Sequence, residues 1–376
     1  MRTRIVLLAA IVASLTASSV FAQAKASDGF LLAVPGWRFE FPRDHGTHDG
    51  FRTEWWYFTG HVRSEAGRRY GFEVTFFRVG AAGTPAAGEA TPWDLRNVSL
   101  AHFAITDVDG RRFRYYEKLN RSTPFLAGAR EGFLHVFNEG WSATTAADGS
   151  WRLVAREGGD AIDLHLHLEK PPAIHGRDGI SVKAAGEGHA SHYYSMTRLS
   201  AEGTVDAGGR RESVRGQAWM DHEFGSAMLR ENQAGWDWFS LQFDNDTELM
   251  LYVIRRRDGT ADDPSSGSIV LADGRVIHLE RNDFSVEPRG RWKSAKSGAT
   301  YPMGWRVRVP KFGIELDVRE VMKDQELVTT KSTQVTYWEG AVDATGRSGG
   351  TLVRGEGYVE MTGYDKPFSD RAAGSR

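Results

Sequence analysis

The residues best able to do chemistry lie in Gly216-Gln217-Ala218-Trp219-Met220-Asp221-His222-Glu223-Phe224-Gly225. In an extended chain Trp219, Asp221 and Glu223 share one face and His222 takes the other, with the two carboxylates roughly 6.5–7 Å apart along the strand. A carboxyl pair beside an indole in a poorly hydrated pocket pushes one carboxyl pKa upward, the condition for a general acid near neutral pH. The competing reading is a strand end whose acids pair with arginines. Two aromatic segments suit the same pocket. Glu54-Trp55-Trp56-Tyr57-Phe58-Thr59-Gly60 carries rings on both faces, so one face must meet a second apolar surface or a cavity. Gly235-Trp236-Asp237-Trp238-Phe239-Ser240-Leu241 opposes Asp237 to Trp236 and Trp238. Such rings line apolar pockets and stabilise a passing cation through their faces, although structural core is the alternative for each.

Other chemistries lack support. The chain has no G-x-S-x-G elbow, no G-x-x-x-x-G-K-[ST] loop and no H-E-x-x-H, and Gly186-Glu187-Gly188 lacks the third glycine of a dinucleotide loop. With no cysteine there are no disulfides, thiolate zinc sites or Cys nucleophiles. A metal-dependent hydrolase could draw a zinc site from His45, His48, His102 and His222, but His45-x-x-His48 in a loop is weak by itself, and the expectation is no metal and no cofactor. His165-x-His167 alternates with aliphatic residues and faces solvent.

Nearly every segment after Gly36 has period two, bounded by Gly, Asp-Gly or Asn, so the elements that hold these residues are antiparallel strands. Ile162–Glu169 puts aliphatic residues on one face and polar ones on the other. Similar patterns occur at Arg69–Arg78, Ser99–Asp107, Arg111–Leu119, Trp151–Glu157, Glu248–Arg256, Arg306–Val318 and Leu352–Met361, with turns at Asp109-Gly110, Asp148-Gly149, Asp258-Gly259 and Asp273-Gly274. Gly80–Thr91 and Gly259–Ser268 read as surface loops. About eleven candidate strands precede residue 230 and about nine follow it, each set near the number a closed barrel needs. The predicted boundary is near Leu229–Ala234, giving units 25–230 and 231–376. Residues 1–24 carry Arg2 and Arg4, an apolar run Ile5–Leu15 and Ala22-Gln23-Ala24, the layout of a cleaved signal peptide, so a periplasmic or secreted protein is expected. No later apolar run is long enough to span a bilayer. The formal net charge of −2 offers no electrostatic footprint for nucleic acid.

Seven blocks in order carry a resemblance: RTEWWYFTGHV (52–62), GFEVTFFR (71–78), AHFAITD (101–107), HGRDGISVK (175–183), SHYYSMTRLSAEG (191–203), GQAWMDHEFGS (216–226) and GWDWFSLQF (235–243). From about residue 36 to 362 the chain resembles the exported AttH-like branch of the lipocalin-like proteins related to carotenoid 1,2-hydratase. The resemblance implies two consecutive lipocalin-like, calycin-type β-barrels, in agreement with the strand count. It implies cofactor-free addition of water across an isoprenoid C=C, with the Asp221-His222-Glu223 block as the acidic site. Trp55, Trp56, Tyr57, His102, Tyr194, Trp219, Trp236, Asp237 and Trp238 are the candidate ligand-binding residues, and His222 or His102 can orient water or a carboxyl. The partners implied are an apolar isoprenoid or lipid-like molecule and an ABC-transporter permease. A periplasmic lipid carrier without catalysis is the competing expectation.

Overall fold

The computed structural model describes residues 24–81, 95–226 and 229–368. The expected leader, apart from Ala24, and most of the expected 80–91 loop lie outside them. Among the described residues thirteen strands, from Thr53–Ser64 to Arg210–Gly225, form one antiparallel sheet. Ten more, from Gln233–Phe243 to Thr351–Thr362, form a second. The first is almost a closed barrel. Asn120 near one end of its strand order donates to Asn138 near the other at 2.7 Å, and Asn138 donates to the Ser99 carbonyl at 3.2 Å. The second sheet is a curled half-barrel whose edge strands are Val276–Glu280 and Ser285–Lys293. The chain is thus all-β, with two consecutive barrel-like domains.

Strict alternation decides which residues fill which space. Trp56, Phe58, Phe72, Phe76, Phe103 and Met220 point into the first barrel, and Phe239, Leu241, Trp305, Trp338 and Val359 fill the second. The opposite faces of the same central strands meet each other. Tyr57, Tyr193 and Trp219 from the first sheet pack on Trp238, Tyr252 and Tyr358 from the second. This explains the rings on both faces of Glu54–Gly60: one face is barrel core and the other is the seam between sheets. Burying one such ring contributes about 1.5–3 kcal/mol.

Register then sets the rows of the seam. Tyr57 lies opposite Asp221, and Asp221 opposite Ser195; Trp55 lies opposite Glu223, and Glu223 opposite Tyr193. Residues opposite one another in adjacent strands share a face, so these six face the second sheet. Trp56, His222 and Tyr194 form the matching row inside the barrel. On the second sheet Trp238, Glu360 and Glu339 form one row.

The predicted strands at Trp151–Glu157 and Glu248–Arg256 have those bounds, and the four Asp-Gly turns each join consecutive strands. Arg306–Val318 is not one strand. It is a hairpin of Thr300–Val309 and Ile314–Glu320 around the 3-10 turn Pro310–Phe312, because Pro310 lacks a donor and Gly313 takes φ 60°. The loop predicted to run to Ser268 stops earlier, since Ser266–Val270 is a strand whose Ser266 pairs with Tyr252. Its Ser and Gly residues pack closely on the neighbouring strand, a role that composition alone does not reveal. His165 and His167 are exposed as expected. No described helix is long and apolar enough to cross a membrane.

Candidate functional site

Asp221 sits at the middle of the seam and is buried. One carboxylate oxygen accepts from Trp219 Nε1 at 2.6 Å and from the Ser195 hydroxyl; the other accepts from Tyr193 Oη at 2.7 Å. Trp238 Nε1 donates to that Tyr193 hydroxyl at 3.1 Å, and His175 Nε2 lies 2.6 Å from Ser195 Oγ. Burial pushes the Asp221 carboxyl up to about 7, against those three hydrogen bonds and with Glu223 adding repulsion. Glu223, two residues on, pairs with Lys183 at 2.9 Å and accepts from the Ser191 hydroxyl. The Lys183 ammonium also lies 4.2 Å from the Tyr252 ring centroid.

The second sheet answers with acids of its own. Tyr57 Oη donates to Glu339 at 2.6 Å, and Trp236 Nε1 donates to Glu360 at 2.8 Å. Burial raises Glu360 to about 7, Trp236 opposing and Asp221 and Glu223 adding repulsion. Burial also raises Glu339, with Glu360 and Glu73 adding to it, and raises Glu73 despite the Thr75 hydroxyl. Glu73 Oε2 and Glu339 Oε2 are buried and accept no hydrogen bond. Several carboxyls with raised pKa values, walled by Tyr57, Trp219, Trp238 and Tyr252, can hold protons at neutral pH beside rings able to stabilise positive charge. His102 lies farther along the same seam, with Tyr337 Oη 2.6 Å from Nδ1 and Ser332 Oγ 2.8 Å from Nε2, and burial lowers its pKa to about 3.

His222 belongs to the other face. Its Nε2 lies 2.9 Å from Glu54 Oε1, its ring stacks on Trp56 with centroids 4.7 Å apart, and Tyr194 Oη is 3.1 Å from Nδ1. Burial, opposed by Glu54, holds His222 below the ordinary histidine value. Glu54 is held well below the carboxylate range: His222, His48 and Arg78 overcome its burial. His48 is raised, because its contacts with Asp44 and Glu54 overcome burial. His45 reaches Tyr194 Oη at 2.7 Å in this interior group. The four histidines considered for zinc therefore do not assemble, since His102 is on the seam. His48, Glu54 and His222 do converge, with one ligand atom of each within 4.8 Å of the others. Asp237 points away from Trp236 and Trp238 into the second barrel, where it accepts from Arg255 at 2.9 Å and from Tyr364 at 3.1 Å.

A family model described as AttH-like matches residues 32–364. The chain belongs to the AttH-like family. A crystal structure of a Nitrosomonas europaea protein assigned as an AttH is similar over 89% of this chain and 99% of that one, with 33% identity and a TM-score of 0.79. Kievitone hydratase from Nectria haematococca shares the fold at 15% identity, covering 92% of this chain and 96% of that one, with a TM-score of 0.67. CghA bound to Sch210972 does so at 16% identity, over 91% and 98%, with a TM-score of 0.53. No curated protein matches the chain.

In this AttH-like protein the structure brings Asp221, Glu223, Tyr57, Trp219 and Trp238 together, with Trp55 and Trp236 packed at the edge of their cluster. It sets Trp56, Tyr194 and His222 behind them, inside the barrel. Sequence reasoning missed Glu73, Glu339, Glu360, Tyr193 and Lys183. In GFEVTFF and GYVEMT an acid alternates with apolar residues, which reads as an outward, solvated position. Outward is correct, but outward here means the other sheet.

Proposed function

We propose that this AttH-like protein is a cofactor-free hydro-lyase acting on an apolar isoprenoid or lipid-like molecule held between the two sheets. The observation that carries the reading is Asp221: a buried carboxyl with its pKa raised to about 7, surrounded by rings. Protonated Asp221 donates its proton to one carbon of a C=C bond. The adjacent carbon becomes a tertiary cation facing the rings of Tyr57, Trp219 and Trp238. Water bonds to it through oxygen, and the proton that water sheds returns Asp221 to its acid form. The seam would lie between domains 25–230 and 231–376, in a protein exported to the periplasm or beyond.

One observation favours a second reading, a lipid carrier serving an ABC-transporter permease. Three donors already hold the Asp221 oxygens, as they would hold a purely structural carboxylate. Native mass spectrometry with lipid extraction, on mature protein from its own periplasm and on Asp221→Asn, separates the two. Bound molecules differing by one water between wild type and variant support the hydro-lyase. An identical ligand in both supports the carrier and ends the catalytic reading.

A further inference from the structure

The barrel-interior face of Arg210–Gly225 carries a cluster that the acid–base reading does not use. His48 Nδ1 and His222 Nε2 both approach Glu54 Oε1, at 2.8 and 2.9 Å. The outward-facing atoms of all three residues are engaged. His48 Nε2 donates to Asp44 Oδ1 at 3.1 Å, and His222 Nδ1 lies 2.9 Å from the Asp44 carbonyl. Glu54 Oε2 accepts from Arg78 Nε at 3.0 Å and from Thr47 Oγ1 at 2.9 Å. A carboxylate only accepts, so His48 Nε2 carries a proton; His222 Nδ1 either donates to the Asp44 carbonyl or accepts from Tyr194 Oη, 3.1 Å away.

A neutral ring that is protonated on its outer nitrogen has its lone pair on the inner one. Both inner nitrogens face the same carboxylate oxygen, which also accepts from the His48 backbone N–H at 3.1 Å, and with both rings protonated on the outside their lone pairs repel that oxygen unless positive charge lies among them. Protons can supply it, through a His48 imidazolium and a neutral His222 that donates from Nε2 while accepting from Tyr194 Oη at Nδ1, at the cost of a charged ring beside the Arg78 guanidinium in a buried site. One divalent cation supplies positive charge there and leaves both rings neutral. Outer N–H groups anchored on a carboxylate and on a backbone carbonyl are the usual support of metal-bound histidines.

We propose that His48, Glu54 and His222 form a zinc site. Two imidazoles and one carboxylate suit this borderline-soft ion, and bonds of about 2.0–2.2 Å require the ligand atoms to part by about half an ångström. Arg78 and Thr47 hold Oε2, so Glu54 binds through Oε1 alone. Water completes the coordination that three protein ligands leave open, and the placement of those ligands gives the ion a structural effect. His48 belongs to the segment leading into the barrel, Glu54 to its first strand and His222 to its last, so the ion pins that segment to the barrel. Asp221 and Glu223 project from the opposite face of the His222 strand, so the zinc site stands or falls separately from the hydro-lyase reading.

The test uses untagged full-length mature protein, stripped with EDTA and titrated with Zn2+ against a chromophoric chelator, with Co2+ as the spectroscopic probe. The expected result is one ion per chain and a Co2+ spectrum of a four- or five-coordinate nitrogen and oxygen site. His48→Ala and His222→Ala lose it, Asp44→Asn weakens it roughly 10–100-fold, and His165→Ala leaves it unchanged. Because the wild-type stoichiometry decides without any variant, a misfolded variant does not blunt the test. Wild type that takes up no zinc, or variants of both histidines that are folded by circular dichroism and bind it as tightly, overturn the proposal.

Discussion

At the scale of single residues, one strand does two jobs because its side chains alternate. Asp221 and Glu223 meet the second sheet, while His222 between them meets Glu54 inside the barrel. If Asp221 is the acid, its protonated fraction sets the rate. With the carboxyl raised to about 7, turnover is level below that pH and falls about tenfold per unit above it. A pH–rate profile on the substrate recovered from the protein checks this. Asp221→Asn lowers the plateau by a factor of about 10²–10⁴, the usual contribution of general acid catalysis. A profile that rises through neutrality would assign Asp221 the opposite role, as a base.

At the scale of elements, the strands on either side of the seam pair so closely that certain positions admit no side chain. Gly357 lies opposite Leu241 on one neighbouring strand and Val342 on the other. A Cβ added there would lie 1.8 Å from the Ser240 carbonyl oxygen, a backbone atom that cannot swing aside. Gly357→Ala must push the Gln233–Phe243 and Thr351–Thr362 strands apart, at a cost of about 1–3 kcal/mol. Urea unfolding should show a lower midpoint; an unchanged midpoint would mean that this ladder is looser than drawn. The same two strands carry Trp238 and Glu360, so the variant should also weaken ligand retention.

At the scale of the whole molecule, stability depends on protons trapped between the sheets. Asp221 and Glu360 are raised to about 7, and Glu73 and Glu339 are raised too, whereas unfolded carboxyls titrate near 4. The folded state therefore holds more protons than the unfolded chain. The stabilisation is complete below about pH 4 and is lost as pH rises through the raised values. Buried histidines work in the other sense: His102 and His175 are lowered to about 3, so their contribution is lost only as pH falls below about 6.5. Each raised acid lowers stability by up to about 1.4 kcal/mol per pH unit between about pH 4 and its folded value, so Asp221 and Glu360 act up to about pH 7 and only Glu73 and Glu339 carry the decline further. Denaturant midpoints of wild type and Glu360→Gln at pH 5, 6, 7 and 8 isolate one group from the opposing histidines: the stability difference between the two should fall with pH up to about 7 and be level above it. A difference that does not change with pH would place the Glu360 carboxyl in water.

Period-two patterning, set by the alternation of side chains about an extended backbone, was enough to read the all-β class, most strand positions, the Asp-Gly turns and the opposite facing of Asp221 and His222. It failed where backbone chemistry interrupted a pattern, at Pro310 and Gly313, and where Ser266–Ser268 paired closely on a neighbouring strand. The seam itself was decided only by tertiary structure. An acid such as Glu73, Glu339 or Glu360 alternating with apolar residues looks the same whether its outer face meets water or another sheet, because local sequence records which way a side chain points and not what lies there. Docking one sheet on the other removed the water, and burial then raised the carboxyl pKa values that make this surface a candidate for chemistry.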